Sequence, residues 1–102
     1  MEVIFQNPKL KRWIALLEHS TSVKVVRMIA LLEEWGSELG LPYSKSLGRG
    51  LFELRIYGDQ PVRIFYVFHR NQAILLHACI KKSHRFSKYE METARKRMKG
   101  LA

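Results

Sequence analysis

The chain has 102 residues, 47% of them hydrophobic and 11% aromatic, with one cysteine, three prolines and a net charge of +9. That suffices for one domain, residues 1–102, burying roughly two thirds of its unfolded surface; it excludes a second domain and a disulfide scaffold. The longest apolar run, VVRMIALL, is interrupted by charge and falls far short of the roughly 20 residues of a membrane span.

The start, MEVIFQNPKLKRW, lacks the basic, apolar and small-residue regions of a signal peptide, so a cytoplasmic protein with no membrane contact is expected. VIFQ, residues 3–6, suits a short first strand. Asn7 then forms an N-cap with Pro8 at the first helical position, and Leu10, Trp13, Ile14 and Leu17 recur at helical spacing over about three turns. STS at 20–22 reads as a loop and cap. Val25, Met28, Ile29, Leu32, Trp35 and Leu39 form the stripe of a second helix, which Gly40 and Pro42 stop.

From Leu51 the period changes to two. The even positions Phe52, Leu54, Ile56, Val62, Ile64, Tyr66, Phe68, Ile74, Leu76, Ala78 and Ile80 are all apolar or aromatic, which predicts three strands sharing one buried face, joined by GDQP and RNQ turns. Read as a three-residue loop, RNQ places Arg63 opposite Cys79, with Lys81 its diagonal neighbour. SKYE at 87–90 has the form of a capping box, with Ser87 as N-cap and Glu90 at N3. It opens a last helix whose thin stripe of Met91, Ala94, Met98 and Leu101 is surrounded by cations. The expected fold is α+β: two N-terminal helices on the even face of a three- to four-stranded antiparallel sheet, with a C-terminal helix at its edge.

Charge is unevenly placed. Residues 1–41 hold five bases and five acids, while residues 42–102 hold thirteen bases and four acids. Composition leaves two readings open, a polyanion-binding face and a solvated basic surface. The four histidines show no metal-ligand spacing and one cysteine completes no common zinc set, so neither metal nor cofactor is expected. GRG at 48–50 is too short for a phosphate loop and reads as a turn. His77, in mid-strand, reads as a hydrogen-bonded packing residue. What remains is a sheet face with Arg55, Arg63 and Lys81, rimmed by Lys82, His84, Arg85 and Tyr89. That pattern suits unpaired RNA better than duplex DNA, because cations sit beside aromatic rings and no helix-turn-helix pattern is present.

KSLGRGLFELR at 45–55, RIFY at 63–66 and LLHACIKKSHRF at 75–86, followed by a Glu-containing basic helix, resemble the phage-derived HigB branch of the RelE/ParE toxin superfamily. The resemblance spans about residues 45–98. It implies the toxin of a type II toxin–antitoxin pair, an endoribonuclease that cleaves mRNA on the ribosome and is neutralised by a cognate helix-turn-helix antitoxin. By position Arg55, Arg63, Lys81 and Lys82 match the family's functional face, and RNA contacts are expected at Arg49, His84, Arg85, Lys88 and Tyr89. Arg55 and Arg63 would hold phosphate oxygens. Crowding by like charge favours a neutral amine, so Lys81 or Lys82 is the candidate base, with its neighbour or His84 as acid. Two alternatives share the fold: a ParE-like DNA gyrase inhibitor and a non-catalytic RNA-binding module.

Overall fold

Asn7 accepts the Lys9 N–H at 2.9 Å and Pro8 occupies the first helical position, so the chain turns directly from β1 (Glu2–Phe5) into α1 (Pro8–Ala15). The computed structural model describes residues 1–82 and 88–101. Helix α2 (His19–Trp35) follows after three residues and ends at Gly36, whose φ of 53° lies in the left-handed region that favours glycine. STS therefore lies inside the first turn of α2 rather than in a loop, with the Thr21 hydroxyl donating to Gln60 Oε1 at 2.9 Å. Then come β2 (Ser44–Gly48), β3 (Leu51–Ile56), β4 (Val62–His69), β5 (Gln72–Ile80) and α3 (Lys88–Lys99).

The sheet corrects the expected architecture. It has five strands, ordered β1-β5-β4-β3-β2, and it is mixed: β1 runs parallel to β5, in register from Glu2↔Gln72 to Phe5↔Leu75. The expectation of three or four antiparallel strands therefore fails on number and on direction. The physical reason lies at the two edges. KSLG carries no alternating apolar pattern because Ser44–Gly48 is an edge strand, buried only at Ser44. VIF is too short to show a period. It closes the other edge because Val3 and Phe5 reach one core while Ile4 reaches the second.

The β4–β5 hairpin holds a second correction. His69 pairs with Gln72, so the turn has two residues, Arg70 and Asn71, both at positive φ as the tightest hairpins require. A register shift between Phe65 and Tyr66 then leaves Leu76 unpaired in β5. The shorter turn and the extra residue cancel, and Arg63 does lie opposite Cys79. The bulge also reverses which way β5 faces. Nine of the eleven even-numbered residues lie in the core beneath α1 and α2, but Ile74 and Leu76 face the opposite core, and Ala73 and Leu75 replace them. Phe52, Ile64 and Leu76 thus do not share one core, contrary to the expectation.

Helix α3 does not sit at the sheet edge. It lies across β5 and β4 on the second face, where Ala94 is fully buried against Leu51, Phe65, Val67, Ile74 and Leu76. The thin methionine stripe is therefore the lid of a second core. No helix among the described residues is long and apolar enough to cross a membrane.

Candidate functional site

Among the described residues, α3 roofs the part of the second sheet face that β5 and β4 form. Polar contacts hold the roof in place. Arg97 Nη1 donates to the Leu76 carbonyl at 2.8 Å, which satisfies the bulged residue, and reaches His77 Nδ1 at 3.3 Å. His77 Nε2 contacts the Glu90 carboxylate. Both ring nitrogens of His77 are thus engaged by packing partners, Nδ1 by Arg97 and Nε2 by Glu90. Arg95 donates to the Leu47 and Gly48 carbonyls at 3.0 and 3.2 Å, covering acceptors of the edge strand β2.

Beyond this roof, at the end of the sheet where β3 leaves and β4 enters, the second face carries Glu53, Arg55, Arg63 and Lys81. Arg55 and Arg63 are direct cross-strand partners, an arrangement that like charges oppose. Glu53 resolves it. Its side chain is fully buried, Oε1 accepts from Arg55 Nε at 2.8 Å, and the same oxygen lies 3.7 Å from Arg63 Nε. The contact with Glu53 holds Arg55 above its ordinary value, so this guanidinium keeps its charge. Arg63 is 6% exposed; its Nη1 donates to the Val62 and Ile56 carbonyls at 3.0 and 3.3 Å, and its guanidinium lies 5.2 Å from the centre of the Tyr57 ring. Tyr57 itself is exposed, a flat ring at the border of the cationic area.

Lys81 follows directly on β5 and its N–H donates to the Pro61 carbonyl at 2.7 Å; Lys82, next in the chain, is exposed. Cys79, opposite Arg63, has its thiol pushed up to about 11, chiefly by burial and then by the Glu90 and Glu53 carboxylates. It is a packing residue at neutral pH, not a nucleophile.

Of the nine candidate residues, the fold brings Arg55, Arg63, Lys81 and Lys82 to one end of the sheet. Lys88 and Tyr89 are exposed at the start of α3, directly before Glu90, with Lys88 3.7 Å from Glu92. Arg49 is exposed at the β2–β3 turn, at the far end of β3 from Arg55, a separation on the order of 20 Å along a six-residue strand. His84 and Arg85 lie outside the described residues, as does the proposed cap Ser87. Two residues that sequence reasoning passed over belong to the site: Glu53, whose burial nothing in the alternation signals, and Tyr57. Among the described residues no group of three or more His, Cys, Asp or Glu could hold a metal ion.

Two concave features lie away from this face. One, of about 350 Å³, runs between α1 and α2 and is lined by Ile14, Val26 and Ile29; the other, of about 270 Å³, has Phe52, Tyr66 and Phe68 as its floor. Each has a single lysine in its lining, Lys11 in the first and Lys45 in the second.

The model of a family described as "Phage derived protein Gp49-like (DUF891)" matches residues 12–99. No curated protein matches the chain. The chain belongs to the phage-derived Gp49-like family, which is associated with RelE-type and other toxin-like proteins.

Proposed function

We propose that this member of the phage-derived Gp49-like family is the toxin of a type II toxin–antitoxin pair, a metal-independent endoribonuclease that cuts messenger RNA on the translating ribosome. The observation that carries the reading is the cationic end of the second sheet face. There Arg55 and Arg63 pair across β3 and β4 beside the exposed Tyr57 ring, and Lys81 follows directly on the neighbouring β5. A soluble α+β domain needs no such cluster for its stability, whereas an RNA phosphodiester is bound and polarised by one.

Cleavage proceeds by attack of the 2′-oxygen on the adjacent phosphorus. The O2′–P bond forms, the P–O5′ bond breaks, and the products carry a 2′,3′-cyclic phosphate and a 5′-hydroxyl. Three jobs follow. Arg55, fixed by Glu53 and only partly covered, holds a non-bridging oxygen as its charge builds. Lys81 or Lys82 accepts the 2′-hydroxyl proton, and its neighbour or His84 returns a proton to O5′. Tyr57 and Tyr89 offer faces on which unpaired bases stack. A cognate helix-turn-helix antitoxin neutralises the face by covering it with acidic and apolar groups.

Pulse labelling after induction in cells tests the reading. Protein synthesis should stop first, and co-expression of the neighbouring gene product should restore growth. If DNA synthesis stops first, the protein is a gyrase poison; if neither stops, it is not a toxin of either kind.

A further inference from the structure

Glu53 is hard to account for as a mere packing residue. Burying a carboxylate completely is costly unless its oxygens are paired. Yet here only Oε1 is engaged, and among the described residues Oε2 and Arg63 Nε have no hydrogen-bond partner. Strand pairing could have placed an apolar residue there at no such cost, since its cross-strand partner is Phe65. Nor can Glu53 act on substrate itself. With no exposed surface it cannot approach a 2′-hydroxyl, and its route outward is closed by Arg55 and Arg63.

What Glu53 does control is the direction of Arg55. A guanidinium can present a fork through Nε and one terminal nitrogen, or through its two terminal nitrogens. Glu53 takes Nε, at 2.8 Å, and so commits the side edge of Arg55 to the protein, leaving its terminal edge, beside Tyr57, as the one a ligand would meet. Arg63 lies on the other side of the same oxygen, covered by the Tyr57 ring and with Nη1 spent on two carbonyls. The three residues therefore divide one task.

We infer that Glu53 is a positioning residue: it grips Arg55 through Nε and fixes how that guanidinium meets an RNA phosphate, while Arg63 supplies the buried counter-charge that keeps the carboxylate in place. The inference rests on the RNA-cleaving reading for its substrate class. It assigns substrate contact to Arg55 and withdraws it from Arg63.

A double-mutant cycle with E53Q and R55K tests it, by single-turnover cleavage of mRNA on programmed ribosomes at saturating toxin. Each single variant should lower the rate about tenfold or more, because a misdirected phosphate contact is lost from the transition state. The double variant should lose no more than about twofold beyond the larger single loss. Multiplying losses would overturn the inference, since they would mean that Glu53 acts independently of Arg55.

If wild-type protein does not cleave RNA at all, the nuclease reading fails, and the same cycle is run on the dissociation constant for a 2′-O-methyl RNA. Coupled losses there still support the positioning role, and independent ones overturn it. Should E53Q not fold, the wild-type protein decides. The Arg55 Nε–H should exchange with solvent at least about tenfold more slowly than that of the exposed Arg12; equal rates would overturn the inference.

Discussion

Arg63→Ala should act first on stability. The side chain is 6% exposed, donates from Nη1 to two carbonyls at 3.0 and 3.3 Å, and faces a fully buried Glu53 across 3.7 Å. Breaking a buried ion pair from one side costs about 3–5 kcal/mol. The 3.7 Å separation is a contact of charges without a hydrogen bond, so the lower figure applies, about 3 kcal/mol. In a domain of this size each kcal/mol moves Tm by about 4–8 °C, which gives a fall of about 12–24 °C. Lys82→Ala, on an exposed side chain, should leave Tm within about 4 °C of wild type. Thermal denaturation followed by circular dichroism measures both. Cleavage must then be compared well below the variant's midpoint, where the folded fraction is full. Were Arg63→Ala to melt within about 4 °C of wild type, the structural role assigned to Arg63 would be wrong.

Tyr66→Phe strips a buried hydroxyl from its contact with Ser44 and should cost about 1–2 kcal/mol, most of it recovered in Ser44→Ala/Tyr66→Phe, where neither partner is left alone. Burial raises the Tyr66 pKa above its ordinary 10.0, despite the opposing contact from Ser44. The stability this represents is complete below pH 10 and is lost as pH rises through the folded value. One late-ionising tyrosine should therefore disappear from an alkaline absorbance titration of Tyr66→Phe. With its thiol moved from 9.0 to about 11, Cys79 should react with iodoacetamide at pH 8 about a hundredfold more slowly than a free cysteine. A reaction at the free rate would refute its burial beside Glu90. Lys81→Ala should lower the saturated single-turnover rate on the order of a hundredfold; an effect confined to binding and its salt dependence would make Lys81 an anchor only.

Much of the site was legible because alternation in β3 and β4 is unbroken. Arg55 and Arg63 fall on the same face as their odd numbers require. Arg63↔Cys79 was reached through two deviations that cancel, a two-residue turn and the bulge at Leu76. Neither leaves a local mark, since RNQ admits loops of two or three residues and Leu76 is as apolar as its neighbours. Leu76 and Ile74 were assigned to the wrong core for that reason. Glu53 was visible as a charge but not as a buried one, because burial there depends on two arginines arriving from either side of it in the fold. The stripe of α3 is thin in the sequence; its four residues suffice because Arg95 and Arg97 add bonds to strand carbonyls.

The parallel pairing of β1 with β5 bears on the order in which the chain acquires its shape. Glu2 and Gln72 meet across the sheet although they are 70 residues apart along the chain. β1 must wait for β5 before its N–H and C=O groups are paired, while β2 to β5 assemble through short local turns as they emerge. The backbone groups of Val3, Ile4 and Phe5 therefore stay without their sheet partners until β5 has been made. The roof over the second core is made later still, because α3 follows β5. For a protein proposed to act on ribosomes, the cationic face is thus completed only once β5 and the lysines that follow it have emerged.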